Sequence, residues 1–298
     1  MFRPLEHKPE EIRRYLLSRL AAKGLEVYSY QRRDVLMDLG LRDKVILVAA
    51  ASKGLGYGIA EALAREGARV SLASRTEAEI QAAAESLGEG YDIEARGYVM
   101  DVTRPESIRD WIAASIRDFG RIDGLVVNAG GPPAGGFESC DDGAWESAFQ
   151  LTLMSAVRMI RGVLPELQKR GSGSIVTITS SSIKEPIESL ILSNVFRSGV
   201  ASLVKSLANE LARYGIRVNN LVPGKIDTDR VQHLDRLAAE RHQLSLEELR
   251  AAQERAIPLG RYGTVEEFGA AAAFLLSEAA RYITGTSVVV DGGKIRSI

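Results

Sequence analysis

Short β-branched runs alternate with longer amphipathic segments from Val45 to the C-terminal end of the chain. Between the runs, apolar residues recur at helical spacing, as they do from Ile108 to Ile116. Apolar strands that alternate with amphipathic helices predict a parallel sheet covered by helices on both faces. Because crossover connections are right-handed, the pattern predicts a doubly wound, Rossmann-like α/β sheet. The predicted strands are Val45–Val48, Val70–Ala73, Ala95–Met100, Leu125–Val127, Ser174–Ile178, Val218–Val222 and Ser287–Val290.

Composition fits one large α/β domain and argues against several other classes of protein. Hydrophobic residues make up 45% of the 298 residues and charged residues 26%, which supplies ample material for a core. The formal net charge of −1 gives no electrostatic basis for binding nucleic acid or an anionic membrane. The single cysteine, Cys140, excludes an internal disulfide and a cysteine-cluster metal site, so we expect no metal. No apolar run approaches the roughly 18 residues that suggest a membrane span.

The first 40 residues differ from the rest, so we treat residues 1–40 as an N-terminal extension of a single domain that spans 41–298. Pro9-Glu10-Glu11 is typical of a helix start, and the apolar residues between Ile12 and Leu20 share one face. We expect this face to dock on the main domain or on a neighbouring subunit; the alternative is a dispensable extension. Arg19 and Lys23 interrupt the apolar stretch that a secretory signal would need, which predicts a cytoplasmic protein.

A glycine-rich turn follows the first predicted strand and leads into a helix. It consists of Ala50, Ala51, Ser52, Lys53, Gly54, Leu55 and Gly56. Glycines let the backbone approach a pyrophosphate, and a helix N-terminus favours its negative charge. A turn of this composition between a strand and a helix predicts a dinucleotide site.

The end of the second predicted strand bears on which dinucleotide binds. An acidic residue there would select NAD by binding the ribose 2′-hydroxyl. This chain has Ser74 and Arg75 instead, and Lys53 lies in the glycine-rich turn. Two cations without a carboxylate suit a 2′-phosphate, which favours NADP over NAD. The alternative is that both cations are solvated surface charges.

Further motifs follow the other strands in a fixed order. Asp101-Val102 ends the third strand, Asn128-Ala129-Gly130-Gly131 follows the fourth, and Pro223-Gly224-Lys225-Ile226-Asp227-Thr228 follows the sixth. The segments 258–263, 282–285 and 290–293 complete the pattern near the C-terminal end. With these motifs, residues 41–298 resemble the short-chain dehydrogenase/reductase family, and within it the branch that is similar to β-ketoacyl-acyl-carrier-protein reductases.

The resemblance implies how the matched residues would hold a nicotinamide dinucleotide, from the pyrophosphate to the nicotinamide carboxamide. Gly54, Leu55 and Gly56 would face the pyrophosphate, Asp101 and Val102 the adenine, and Asn128, Ala129 and Gly130 the inner edge of the pocket. The carboxamide would lie against Pro223, Gly224, Ile226 and Thr228.

Ala50 departs from the family pattern, which has a glycine at the first position of the turn. The added methyl group would lie where the backbone and the cofactor pack closely. We expect it to weaken binding without abolishing it, provided that φ stays negative at this residue.

The catalytic positions of the family are the main departure. The family pattern places a tyrosine thirteen residues after a serine and a lysine four residues further on, and the tyrosine exchanges the proton at the substrate oxygen. Ser180 occupies the serine position, which puts Ser193 at the tyrosine position and Arg197 at the lysine position. Thr152 stands where the family has a supporting asparagine. No tyrosine lies between residues 98 and 214, so no shift of the alignment restores one.

Other proton donors must therefore be considered. Arg197 would still bind the ribose, but we expect it to remain protonated and not to transfer a proton as lysine can. Lys184 is a candidate donor or carboxylate ligand, against the alternative of a solvated loop cation. His233 and His242 lie in the segment 230–256, which the resemblance implies is a helical lid, and we expect both histidines at the surface.

Two functions fit these residues. The first is an NADP-dependent oxidoreductase that acts on a carbonyl or alcohol with an atypical proton donor. The second is a non-catalytic dinucleotide-binding protein that serves as a sensor or an assembly subunit. The segments 145–167 and 192–214 carry more apolar positions than one sheet face covers, and in the family such helices pair between subunits. We therefore expect a homo-oligomer, most simply a homotetramer.

Overall fold

The computed structural model describes residues 38–297, and the chain divides into two units, Met1–Met37 and Asp38–Ile298. Leu39 belongs to the second unit, because its carbonyl accepts a hydrogen bond of 3.0 Å from the backbone N–H of Glu278. Leu41 is buried in the same core. The domain therefore begins slightly before residue 41, the boundary expected from the sequence. The predicted N-terminal helix lies outside the described residues.

Seven parallel strands form one sheet in the part of the chain that the structure describes, and each overlaps a strand predicted from the sequence. The order across the sheet is β3-β2-β1-β4-β5-β6-β7, so the direction of winding reverses between β1 and β4. This arrangement confirms the predicted doubly wound sheet. The strands are β1 Val45–Ala49, β2 Arg69–Ser74, β3 Ala95–Val99, β4 Gly124–Val127, β5 Gly173–Ile178, β6 Ile216–Pro223 and β7 Ser287–Val290.

Helices cover both faces of the sheet and enclose one core on each side. On one face, Ile59, Leu63 and Phe268 pack against the strands. On the other, Trp111, Met159 and Val204 do the same. The helices are α1 Gly54–Arg65, α2 Glu77–Tyr91, α3 Pro105–Phe119, α4 Asp142–Ala148, α5 Ser155–Arg170, α6 Ile191–Leu211, α7 Asp229–His242, α8 Leu246–Arg255 and α9 Val265–Leu276. Across residues 38–297 no helix is long and apolar enough to span a membrane.

A π-helical turn at Phe149–Met154 joins α4 to α5, within the stretch that the sequence predicted as one regular helix. The hydroxyl of Ser155 donates to the carbonyl of Leu151 at 2.6 Å, which supplies a partner to a carbonyl of the widened turn. Because the turn is wider than that of a regular α-helix, it changes the direction in which the side chains around Thr152, a candidate site residue, project.

Candidate active site

A cavity of about 1260 Å³ opens at the carboxyl edge of the sheet. Residues that follow β1 to β6 contribute to its walls, and α7 and the segment after β7 close one side. The cavity lies where the order of the strands reverses, which is the usual ligand site of open parallel sheets. Thus the fold brings together most of the residues that the sequence motifs selected.

The glycine-rich turn forms one end of the cavity, with Ser52, Lys53, Gly54 and Leu55 in its wall. Gly54 starts α1 and has a φ of +61°, a conformation that favours glycine. No side chain caps the α1 N-terminus at Lys53, so its backbone N–H groups are left for an anion.

Gly56 contributes packing instead of a cavity wall. A Cβ at this position would lie 2.1 Å from the carbonyl oxygen of Ala50, so only glycine lets α1 sit this close to the turn. The implied contact of Gly56 with a pyrophosphate stays a prediction, and the packing against Ala50 is a second reason for glycine at this position.

Ala50 lines the cavity with a φ of +49°, so the condition of a negative φ, on which its tolerance was expected to depend, is not met. The turn needs a left-handed residue at this point, and the chain supplies it from alanine at a cost of about 1 kcal/mol. The amide of Asn128 helps to hold this conformation, because its Nδ2 donates to the Ala50 carbonyl at 3.3 Å.

Ser74, Arg75, Asp101 and Val102 line the cavity where β2 and β3 end. The hydroxyl of Ser74 is buried and has no hydrogen-bond partner among the described residues, so it needs one from a ligand. Asp101 uses its Oδ1 to accept hydrogen bonds from the backbone N–H and the hydroxyl of Thr103. The Asp101 carboxylate therefore shapes the turn after β3.

Glu79 was missed by the sequence analysis. This residue lies in the first turn of α2 and lines the cavity, with its carboxylate 3.3 Å from the Ser52 hydroxyl and 3.7 Å from the Lys53 ammonium. Its position in the sequence could have identified it, because the first turn of the helix after β2 lies at the carboxyl edge of the sheet. The expected carboxylate-free surroundings of Lys53 and Arg75 are thus corrected.

The inner wall of the cavity is formed by residues that follow β4 and β6. Thr228 caps α7, since its hydroxyl accepts from the Val231 N–H at 3.3 Å. A Cβ on Gly224 would lie 2.4 Å from the Cβ of Asp291, so this glycine lets the segment after β7 pack against the end of β6. The candidate residues in this wall are Asn128, Ala129, Gly130, Pro223, Gly224, Ile226 and Thr228.

Ser180, Ser193 and Arg197 also line the cavity, Ser180 directly after β5 and the other two on α6. Ser193 and Arg197 lie one turn apart on α6, and Ser180 follows β5 with its hydroxyl accepting from the Ser182 N–H at 3.1 Å. Arg197 donates from Nη1 to the carbonyls of Ile178 and Thr179, at 2.8 and 3.1 Å. Among the described residues, no tyrosine lines the cavity.

The guanidinium of Arg197 is electrostatically unusual. Burial lowers its pKa to about 10, and the neighbouring positive charge of Arg230 contributes to this effect. The group is nevertheless a cation throughout the neutral pH range. Its side chain therefore brings a fixed positive charge to the same end of the cavity as two serine hydroxyls.

Thr152 and Lys184 do not line the cavity. Thr152 is buried in the π-helical turn, and its hydroxyl has no partner among the described residues. Lys184 is exposed on the loop after β5 and lies outside the cavity wall, so its role as a donor stays a prediction that the cavity does not support. Its neighbours Ser181 and Glu185 reach the cavity instead.

The two lid histidines differ in position. His233 is exposed and lies outside the cavity wall, as expected, whereas His242 is exposed but also lines the cavity at the C-terminal end of α7. Within residues 38–297, no group of three His, Cys, Asp or Glu side chains is arranged to hold a metal ion.

Helix α7 covers one side of the cavity and is tied to the loops around it. Arg230 donates to the Pro132 carbonyl at 2.9 Å, and Arg241 donates to the Ser189 hydroxyl at 2.8 Å. Lys225, in the segment after β6, forms a 2.7 Å ion pair with Asp235 of α7, whose side chain is fully buried. Sequence reasoning assigned no role to these four ionic residues, because each acts through a contact between distant segments.

The fold and the cavity define a dinucleotide-binding α/β protein, and comparisons with known proteins place it in a family. A family model described as enoyl-(acyl carrier protein) reductase matches residues 49–294. The human dehydrogenase/reductase SDR family member 4 is 35% identical over 279 residues, which cover 92% of each chain. The 3-oxoacyl-acyl-carrier-protein reductase FabG of Vibrio cholerae is 34% identical over 257 residues, or 86% of this chain and 98% of that one.

Solved structures agree with these relatives. L-sorbose reductase from Gluconobacter frateurii, complexed with NADPH and L-sorbose, superimposes with a TM-score of 0.84 at 30% identity and covers 88% of this chain and 100% of its own. A variant actinorhodin polyketide ketoreductase with NADPH gives 0.82 at 30% identity, with 85% and 98% covered. The chain therefore belongs to the short-chain dehydrogenase/reductase family, and its class is that of NAD(P)-dependent oxidoreductases.

Proposed function

We propose that this protein is an NADP-dependent oxidoreductase that interconverts a carbonyl and an alcohol without a tyrosine as the proton donor. The bound cofactor would supply or accept the hydride. The single observation that carries the proposal is the cavity, whose wall contains both the glycine-rich turn and the side chains of Ser180, Ser193 and Arg197.

The cofactor end of the cavity supports a dinucleotide with a 2′-phosphate. The unpartnered hydroxyl of Ser74 and the exposed guanidinium of Arg75 line the same cavity as Lys53, and the two cations offer donors to a phosphate. The carboxylates of Glu79 and Asp229 lie 3.7 and 4.0 Å from the Lys53 ammonium, so among the described residues Arg75 is the cation of this pair without an ion-pair partner. The relatives with solved structures that are complexed with NADPH support the same choice.

At the reacting end, we assign the substrate oxygen to Ser180. Its hydroxyl can donate to that oxygen while it accepts from the Ser182 N–H. Ser193 is buried beside it on α6 and is too short to replace a phenol, so we assign it to the wall of the substrate pocket. The hydroxyl of Thr152 and the ammonium of Lys184 have no part in this assignment.

The second candidate function, a non-catalytic dinucleotide sensor or assembly subunit, is favoured by the absence of tyrosine from the cavity wall in the described part of the chain. Both candidates require cofactor binding, and only the first requires turnover. The predicted cytoplasmic location and the predicted homotetramer stay predictions.

Cofactor choice is tested by calorimetric titration with NADPH and NADH. We expect tighter binding of NADPH, and Arg75→Asp should shift the preference toward NADH because the new carboxylate would repel the 2′-phosphate. Glu79→Gln should tighten NADPH binding about threefold to tenfold, since it removes a like charge near the phosphate. Glu77→Gln is the matched control, because Glu77 is on the same helix but outside the cavity wall. Equal or reversed affinities in the wild-type protein would remove the NADP assignment.

Catalysis is tested with a panel of ketones and aldehydes by following NADPH oxidation. Ser180→Ala should lower turnover on the order of 10²-fold while NADPH affinity is unchanged. Lys184→Ala is the matched control and should leave turnover unchanged, because this exposed side chain lies outside the cavity wall. A wild-type protein that binds NADPH and reduces no member of the panel would favour the sensor.

A further inference from the structure

Arg197 is a partly buried arginine whose guanidinium has no carboxylate partner among the described residues. Its Nη1 donates to two backbone carbonyls, those of Ile178 and Thr179. A guanidinium has five N–H groups, and those on Nε and Nη2 donate to none of the described residues. Because Arg197 lines the cavity, these remaining donors are left for a ligand.

Three other arginines of the domain differ from Arg197 either in their partners or in their position. Arg121 and Arg170 pair with the carboxylate of Asp123. Arg217 donates to backbone carbonyls, as Arg197 does, but it lies away from the cavity and Glu278 acts on its pKa as a counter-charge.

No acid contributes to the pKa of Arg197; the only charged neighbour that acts on it is Arg230, which lowers it further. A buried charge without a counter-charge is costly, so proteins pair such charges or use them. Among the described residues no carboxylate forms an ion pair with Arg197, so its positive charge near Ser180 is not directly neutralised.

The backbone fixes this charge in place. Ile178 and Thr179 immediately precede Ser180, so the two carbonyls that hold Arg197 belong to the same strand end as the serine. A displacement of the guanidinium would leave both carbonyls without this partner. The Arg197 cation and the Ser180 hydroxyl are thus anchored to one rigid element, as required of a preorganised site.

We propose that Arg197 is a catalytic residue that binds the substrate oxygen as this oxygen gains negative charge. This inference rests on the proposed function. In carbonyl reduction the hydride forms the new C–H bond at the carbonyl carbon, and the π pair of the C=O bond moves to oxygen. The resulting alkoxide is held by Arg197 and Ser180 and takes a proton from water in the cavity. The hydroxide that is left is neutralised by bulk solvent.

The benefit of such a cation is greatest in the transition state. A carbonyl oxygen is neutral and an alkoxide is charged, so a fixed guanidinium stabilises the second more than the first. Hence the site needs no side chain that is itself a good acid. This accounts for Ser193 at the expected tyrosine position and for the absence of tyrosine from the described cavity wall. In the family the residue at this position binds the cofactor ribose. If Arg197 had that role, its substitution would lower the affinity for NADPH.

The first test compares turnover with cofactor affinity in three variants. Arg197→Met should lower kcat for ketone reduction on the order of 10²-fold to 10³-fold, with NADPH affinity unchanged by calorimetry. Arg197→Lys should have an intermediate kcat, because it keeps the charge and loses the planar fork. Arg217→Met is the matched control: it removes a guanidinium that binds carbonyls away from the cavity, and it should keep kcat.

The second test is chemical rescue and the pH profile. Guanidinium chloride should restore activity to Arg197→Ala, whereas potassium chloride at the same ionic strength should not. In the wild-type protein, reduction should be independent of pH through the neutral range and fall as the pH rises through about 10, where Arg197 loses its charge. Should Arg197→Met and Arg197→Ala prevent folding, the conservative Arg197→Lys variant and the pH profile of the wild-type protein still decide.

Three results would overturn the inference. A parallel loss of NADPH affinity in Arg197→Met would make the residue a ribose ligand, and an unchanged kcat would remove it from catalysis. Absence of rescue in a folded Arg197→Ala protein would also count against it. Each of these leaves an active wild-type enzyme, so the proposed function would survive; a wild-type protein that reduces no carbonyl would remove both.

Discussion

At the scale of single residues, two positions show how the turn around the cofactor depends on backbone conformation. Gly56 has to be glycine, because a Cβ would meet the carbonyl oxygen of Ala50 at 2.1 Å. Ala50 itself adopts a φ of +49°, where glycine is favoured and a Cβ is strained. The sequence shows alanine in place of glycine at residue 50, but it does not show the conformational strain that results. The sign of φ depends on the conformation of the whole turn.

Ala50→Gly should therefore stabilise the protein by about 1 kcal/mol, since glycine adopts a positive φ without strain. The melting temperature should rise by about 2 °C. Asp92→Gly is a matched control, because Asp92 also has a positive φ of 52° but lies at the end of α2, away from the cavity. It should stabilise the protein less, as aspartate tolerates this conformation better than alanine. A destabilised Ala50→Gly protein would contradict the strain at this residue.

At the scale of elements, periodicity and order of motifs were enough to locate the sheet. All seven strands were predicted, because fully buried parallel strands are short apolar runs between helices. The π-helical turn at Phe149–Met154 was not, since its residues also fit a regular helix.

Candidate site residues followed the same division. Those beside a strand end, such as Ser180, reach the cavity, whereas Lys184 on the loop beyond does not. Glu79 was missed because its position depends on how α2 packs. Motifs tied to strand ends are predictable, and side chains placed by packing between distant segments are not.

The lid helix α7 depends on one buried ion pair. Asp235 is fully buried and accepts from Lys225 at 2.7 Å and from the hydroxyl of Tyr262 at 2.9 Å. Lys225→Met should lower the free energy of unfolding by about 3 kcal/mol, because it leaves Asp235 without its cation. Amide hydrogen exchange in α7 should accelerate more than exchange in the strands.

Arg250→Met provides the matched control for the lid. Arg250 pairs with the exposed carboxylate of Asp227 at 3.1 Å, and such a surface pair contributes about 1 kcal/mol or less. Similar losses of stability in the two variants would argue against a special role for the buried pair.

At the scale of the whole molecule, the outer face of α4 and α6 predicts assembly. Aromatic rings group there, with Trp145 and Phe196 centred 5.6 Å apart and Phe149 and Phe196 5.9 Å apart. Val195 beside them is 45% exposed. An exposed apolar side chain beside partly exposed aromatic rings is typical of a surface that is covered in an oligomer.

Val195→Glu should therefore disrupt the predicted homotetramer, because assembly would bury an unpaired carboxylate among aromatic rings. Sedimentation at micromolar concentration should then give a smaller mass than the wild-type protein. Val99→Glu is the matched control: Val99 is 54% exposed but lies on the edge strand β3, away from the aromatic group, so this variant should assemble normally. A monomeric wild-type protein would refute the predicted tetramer, and an assembled Val195→Glu protein would place the interface on another surface.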